Sequence, residues 1–214
     1  MNVFWFRRDL RLEDNVALYK ATLEKESVIP LFIFDTDIIN SLPKDDARIT
    51  FIYNTLKKID TELKKINSSV LIKIGKPLEV WKELISEYKI DKVFYNKDYE
   101  PYAISRDFEV TQFLNSKKNE VFSYKDQVVF EEVVKADGLP YTVFTPYKNK
   151  WLSQLKESSI LSYNPKSNFY NFNTDFPSLK SIGFVESEIK VKPYNLSFLE
   201  AYHSVRDFPF VDKT

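Results

Sequence analysis

The chain has no cysteine, a single histidine, three glycines and no excess of either charge. Without cysteine there is no thiol nucleophile and no disulfide. With His203 as the sole imidazole there is nothing close to a zinc ligand set, so no metal site is expected. The first glycine is Gly75, so the turn after the first apolar run is built from Arg7, Arg8 and Asp9. A dinucleotide or phosphate loop needs glycines there to let the backbone approach a pyrophosphate, and that chemistry is excluded. Lysine plus arginine (31) equals aspartate plus glutamate (31), so no overall positive field draws the chain to nucleic acid. No apolar run reaches the roughly 18 residues of a membrane span, and the start MNVFWFRRD is not a charged leader followed by an apolar stretch. A soluble, cytoplasmic protein is expected.

What is present is a 43% hydrophobic chain of 214 residues, long enough for one α/β domain and an appendage. Val3–Phe6, Val28–Phe34, Val70–Ile74, Val93–Tyr95 and Val121–Tyr124 are short β-branched or aromatic runs, as parallel strands buried on both faces should be. Between them lie helical patterns. The clearest is Asp46–Ile66, with Ile49, Ile52, Leu56, Ile59, Leu63 and Ile66 three or four residues apart, while Pro77 and Pro101 suit the first turns of two more helices. Right-handed crossovers then give a Rossmann-like, doubly wound, five-stranded parallel sheet with helices on both faces and a switch point beside the first strand.

After about Gln127 the periodicity fades. The predicted division is an α/β domain over 1–130 and a long irregular connector over 131–214, with a short helix at Leu196–Val205. Phe169, Tyr170, Phe172, Phe176, Phe184 and Tyr194 make the connector too aromatic for a solvated linker, so it should wrap over another surface. In GLPYTVFTPYKNKW, Gly138 and Pro140 mark a turn and Tyr141, Val143 and Phe144 suggest an extended stretch, with Lys148 and Lys150 on a solvated loop.

Two candidate sites stand out. Arg7, Arg8 and Arg11, interleaved with Asp9, Glu13 and Asp14, could clasp an anion but read better as locally balanced ion pairs that fix a loop, with Asp14 capping the helix that follows. Asp98 and Glu100, just after the fourth strand and before Pro101, either complement a helix N-terminus or face a ligand in the crevice. Trp5, Trp81 and Trp151 read as core, and His203 as a surface residue.

The stretch WFRRDLRLEDNVAL at residues 5–18 resembles a signature of the DNA photolyase and cryptochrome family, which usually has proline where Val16 stands. VFYNKDYEPYAISRD (93–107), GLPYTVFTPYKNKW (138–151) and RDFPFVDKT (206–214) resemble further family stretches in the same order. The last opens, in the family, into a helical domain that binds FAD and the damaged base pair. By that resemblance the chain is the antenna-type domain and connector of a deoxyribodipyrimidine photolyase, a carbon–carbon lyase, and is inactive by itself. In such an enzyme a reduced flavin excited by blue light passes an electron to a cyclobutane pyrimidine dimer extruded from DNA. The FAD site and the damaged-DNA partner would lie outside this chain, which is expected to be a monomer that binds DNA little and contains no catalytic residue. The resemblance implies an antenna pocket formed by Phe32, Arg48, Asp98 and Glu100. A deazaflavin or flavin chromophore is favoured over methenyltetrahydrofolate, because Ala103 stands near where folate-binding relatives have a glutamate. The alternatives are a cryptochrome photoreceptor and, from another class, a standalone nucleotide-binding module, which a lone Gly183 without a glycine-rich loop disfavours.

Overall fold

The computed structural model describes residues 1–155, 161–191 and 202–205. Five parallel strands form one sheet in the order β3-β2-β1-β4-β5: β1 (Asn2–Phe6), β2 (Val28–Asp35), β3 (Leu71–Gly75), β4 (Lys92–Asn96) and β5 (Glu120–Tyr124). Each predicted run is a strand whose ends agree within one residue. Helices α1 (Val16–Thr22) and α3 (Ala47–Lys64) cover one face, α4 (Pro77–Glu87) and α5 (Pro101–Ser116) the other, and α2 (Thr36–Ile39) is a single turn after β2.

The two faces follow from the period of two along each strand. Phe4 and Phe6 of β1 point with Phe32, Phe34 and Phe94 into the α1/α3 side, whereas Val3 and Trp5 point with Leu31, Ile33 and Tyr95 into the α4/α5 side. Burying Phe4 and Phe6 completely stabilises the fold by roughly 1.5–3 kcal/mol each. Because β1 pairs with β2 on one flank and β4 on the other, the chain reverses its winding beside β1, and the loops after β1 and β4 diverge there into a crevice.

Pro30 lies inside β2, an interior strand, where a missing N–H would normally break the ladder. Val28 turns its N–H and C=O outward, to Asn168 O (3.0 Å) and from Tyr170 N (2.8 Å). By alternation Pro30 faces the same flank, where β3 begins only at Leu71, opposite Leu31. No ladder bond is lost.

The segment after β5 folds back on the domain. Phe169, Phe176, Ile182 and Phe184 pack against the α1/α3 core, and Tyr170 and Phe172 against the other. The turn α7 (Leu179–Ile182) ends at Gly183, whose φ of +92° lets Phe184 N reach Leu179 O at 2.9 Å. Leu161, Val185, Ile189 and Val191 stay exposed. The turn α8 (Tyr202–Val205) carries His203 on the surface. The stretch 206–214, residues 196–201 of the predicted helix, and Tyr194 lie outside the described residues.

Two local expectations are corrected. The stretch read as extended and looped contains helix α6 (Phe144–Gln154), entered from Val143 with Pro146 in its first turn. Its residues are at most half-buried, so no apolar stripe announces it. Trp151 is therefore not core: it is half-buried on α6, with its ring 5.5 Å from Phe130. The α1 cap is Asn15, whose side chain accepts from Leu18 N at 3.1 Å. Asp14 has a φ of +46° and turns its carboxylate to Tyr163 N.

Candidate ligand cavity at the switch point

The arginines after β1 are all ion-paired, but not with their sequence neighbours. Arg7 meets Asp107 (2.6 Å), Arg8 meets Asp98 (3.1 Å) and Glu100 (2.5 Å), and Arg11 meets Asp126 (2.7 Å). The nearby acids are otherwise engaged. Asp9 is buried and accepts from Arg7 N, Asn15 Nδ2 and Asn96 Nδ2, and Asp14 holds Tyr163. The crossovers bring the ends of β4 and β5 beside β1, so carboxylates about a hundred positions away in sequence become the partners.

Arg7 and Arg106 share Asp107, and all three side chains are about nine-tenths buried. Their guanidinium carbons each lie 5.1 Å from the Trp5 ring, and Arg7 also sits 4.3 Å from the Tyr95 ring. This stack makes a rigid, charged floor. Trp81 packs on Trp5 from behind, with ring centroids 5.7 Å apart, and both tryptophans are core as expected.

Above the floor opens a cavity of about 660 Å³. One wall is apolar, made by Phe32 of β2, Ile38 of α2, Leu42, and Ile49, Phe51 and Ile52 of α3. The other is polar, made by Arg8, Asp98, Glu100, Tyr102 and Arg106. Phe51 is 53% and Ile38 44% exposed, so this wall presents apolar surface that nothing else in the described chain covers.

Phe32, Arg48, Asp98 and Glu100 all line this one cavity. Asp98 does two things: one oxygen accepts from Tyr99 N (2.8 Å) and the other meets Arg8. Glu100 stands at the N-cap of α5 without capping it and hydrogen-bonds Arg8 instead, holding that guanidinium firmly charged together with Asp98. Arg48, on the rim, forms a two-point pair with Asp46 (3.0 and 2.6 Å). Ala103 faces the cavity with no polar atom on its side chain.

Sequence reasoning missed Asp35, Tyr102 and Arg106. The Tyr102 hydroxyl donates to Asp35 Oδ2 at 2.6 Å, tying α5 to the end of β2. Burial and this bond push the Tyr102 pKa up. The available signal was the four-residue spacing of Tyr102 and Arg106, one helical turn apart after Pro101. On the far side of Asp98, the Tyr99 hydroxyl donates to Glu131 (3.0 Å), which also pairs with Lys97, and burial followed by that bond pushes Tyr99 up to about 12.

Among the described residues no helix is long and apolar enough to cross a membrane, and no cluster of three or more His, Cys, Asp or Glu could hold a metal. Residues 2–166 match the DNA photolyase family. Over 160 residues the chain is 29% identical to a deoxyribodipyrimidine photo-lyase of a Synechococcus species, covering 74% of this chain and 33% of that protein. It is 32% identical over 162 residues to Cryptochrome-2 of Arabidopsis thaliana, covering 74% and 26%. An archaeal photolyase from Sulfolobus tokodaii, crystallised with two FAD molecules, has the same fold with a TM-score of 0.75 at 28% identity, over 100% of this chain and 50% of that one. The chain thus spans between about a quarter and a half of these proteins.

Proposed function

The chain belongs to the DNA photolyase family, and from that premise we propose that it is the light-harvesting α/β domain of a deoxyribodipyrimidine photo-lyase, with an antenna chromophore in the switch-point cavity. The whole protein would use FAD to repair cyclobutane pyrimidine dimers in damaged DNA, in the cytoplasm. An antenna pigment supplies absorption of near-ultraviolet or blue light and passes the energy on. The part of this chain is to hold that pigment rigidly.

The observation that carries the reading is the division of the cavity into one apolar wall, partly exposed, and one wall of fixed ion pairs. A planar flavin or deazaflavin suits it, with one ring face on Phe32 and Phe51 and the other toward the wall of Arg8, Asp98 and Glu100. Because Arg8 is already clamped by both acids, the polar wall needs little reorganisation to receive a ligand. Arg48, tied to Asp46, closes the rim. Ala103 offers no side-chain acceptor, which favours a flavin over a folate. The two FAD molecules of the Sulfolobus tokodaii photolyase, described as implying a novel light-harvesting cofactor, support a second flavin-type pigment here.

Titration of the chain with riboflavin, followed by quenching of flavin fluorescence, tests the proposal. Saturable one-to-one binding that Phe51→Ala and Asp98→Ala both weaken is expected; no binding, or binding indifferent to both changes, would overturn it. The identity to a cryptochrome keeps a second reading, signalling without repair. Light-dependent cleavage of dimers by the complete product of the gene would exclude it.

A further inference from the structure

We propose that Asp35 selects the ligand of this cavity by accepting a ring N–H from the edge of a planar heteroaromatic compound, such as the imide of a flavin. The inference rests on the reading that the cavity binds such a ring. Asp35 ends β2, is only 6% exposed and lines the cavity. One oxygen accepts from Asp37 N (3.0 Å) and the other from the Tyr102 hydroxyl (2.6 Å). A carboxylate can accept about four hydrogen bonds, so roughly half of its capacity is unspent.

The other acids of the site are neutralised. Asp98 and Glu100 have Arg8, Asp107 has Arg7 and Arg106, and Asp46 has Arg48. Among the described residues no cation pairs with Asp35; Lys76, which feels its charge, is bound to Asp37 at 3.0 Å. A buried carboxylate without a counter-charge is costly unless donors surround it. Its open side is the cavity, so the missing donors come with the ligand.

Capping explains only half of this arrangement. The bond to Asp37 N begins α2, a single turn, and uses one oxygen. The second oxygen is held toward α5 by Tyr102, whose raised pKa keeps the phenol protonated as a fixed donor. That contact orients the carboxylate and leaves its remaining lone pairs for a ligand. A cationic ligand would also satisfy Asp35, but it would leave the apolar wall of Phe32, Ile38 and Phe51 uncovered, which a flat ring buries. A neutral N–H donor on a flat ring meets both conditions, with Phe32, three residues earlier on β2, lining the same cavity to receive the ring.

The test compares riboflavin with 3-methylriboflavin, in which the imide N–H is replaced, on the parent chain and on Asp35→Ser. Serine preserves the cap of α2 but is too short to reach the ligand. Losing a hydrogen bond to a charged group should make 3-methylriboflavin bind the parent roughly ten- to a hundredfold more weakly than riboflavin. In Asp35→Ser the difference should collapse toward unity, and in Tyr102→Phe, which retains the carboxylate, it should persist. Circular dichroism and the fluorescence of Trp5 and Trp81 report whether each variant is folded. Equal binding of the two compounds by the parent overturns the inference alone. So does undiminished discrimination by folded Asp35→Ser, because the methyl group would then be clashing elsewhere. Failure of riboflavin to bind at all overturns the cavity reading beneath it.

Discussion

Replacing Asp107 with alanine removes the carboxylate that Arg7 and Arg106 share at the floor of the cavity. The three side chains are 7%, 10% and 11% exposed for Arg7, Arg106 and Asp107, so water screens the pair little and the figure for a broken buried ion pair applies, about 3–5 kcal/mol. The cost should not double for two guanidiniums, because Arg106 borders the cavity and can regain solvent. Against a total stability of about 5–15 kcal/mol for a domain, this is about a fifth or more, and it lowers Tm by about 6–20 °C. Urea denaturation followed by tryptophan fluorescence reads it directly, since Trp5 and Trp81 are fully buried and Trp5 lies against both guanidiniums. Lys65→Ala is the control, because its pair with Glu62 is exposed and should cost at most about 1 kcal/mol. If Asp107→Ala costs no more than Lys65→Ala, the buried pair does not hold the floor as argued.

Asn15→Ala should destabilise the chain by about 1–2 kcal/mol in the same assay, since Asn15 caps α1 and its side-chain oxygen also accepts from Asn96. Raising the pH should weaken the contact between the loop after β4 and Glu131: the pKa of Tyr99 is above its unfolded value of 10.0, so its stabilising contribution is full below pH 10 and is lost as pH rises toward about 12. Tyrosinate absorbance should show one fewer late-ionising group in Tyr99→Phe than in the parent. Titrated with intact and ultraviolet-damaged duplex at moderate salt, the chain should bind both weakly and equally, because its charges balance. Tight, damage-selective binding would contradict that.

The strands were legible because parallel strands buried on both faces must be short unbroken apolar runs, and Pro77 and Pro101 do open α4 and α5. The choice of Asn15 over Asp14 as cap was not, since either residue can cap and Tyr163, 149 positions away, decides between them. The ion pairs of Arg7, Arg8 and Arg11 were misread for the same reason: the partners arrive with other crossovers. Helix α6 lacks the apolar stripe that marks α3. Phe32, Arg48, Asp98 and Glu100 were named from family resemblance rather than from spacing. Asp35 went unnoticed because an aspartate between a strand and a turn of helix reads as a cap, and only the contact with Tyr102 shows its second oxygen facing the cavity wall.

A crystal structure of the chain saturated with flavin mononucleotide tests the antenna cavity most directly. The isoalloxazine ring is expected between the wall of Phe32 and Phe51 and the wall of Asp98, Glu100 and Arg8, with an edge toward Asp35. Ring density at another surface, with the cavity filled only by solvent, would contradict the assignment.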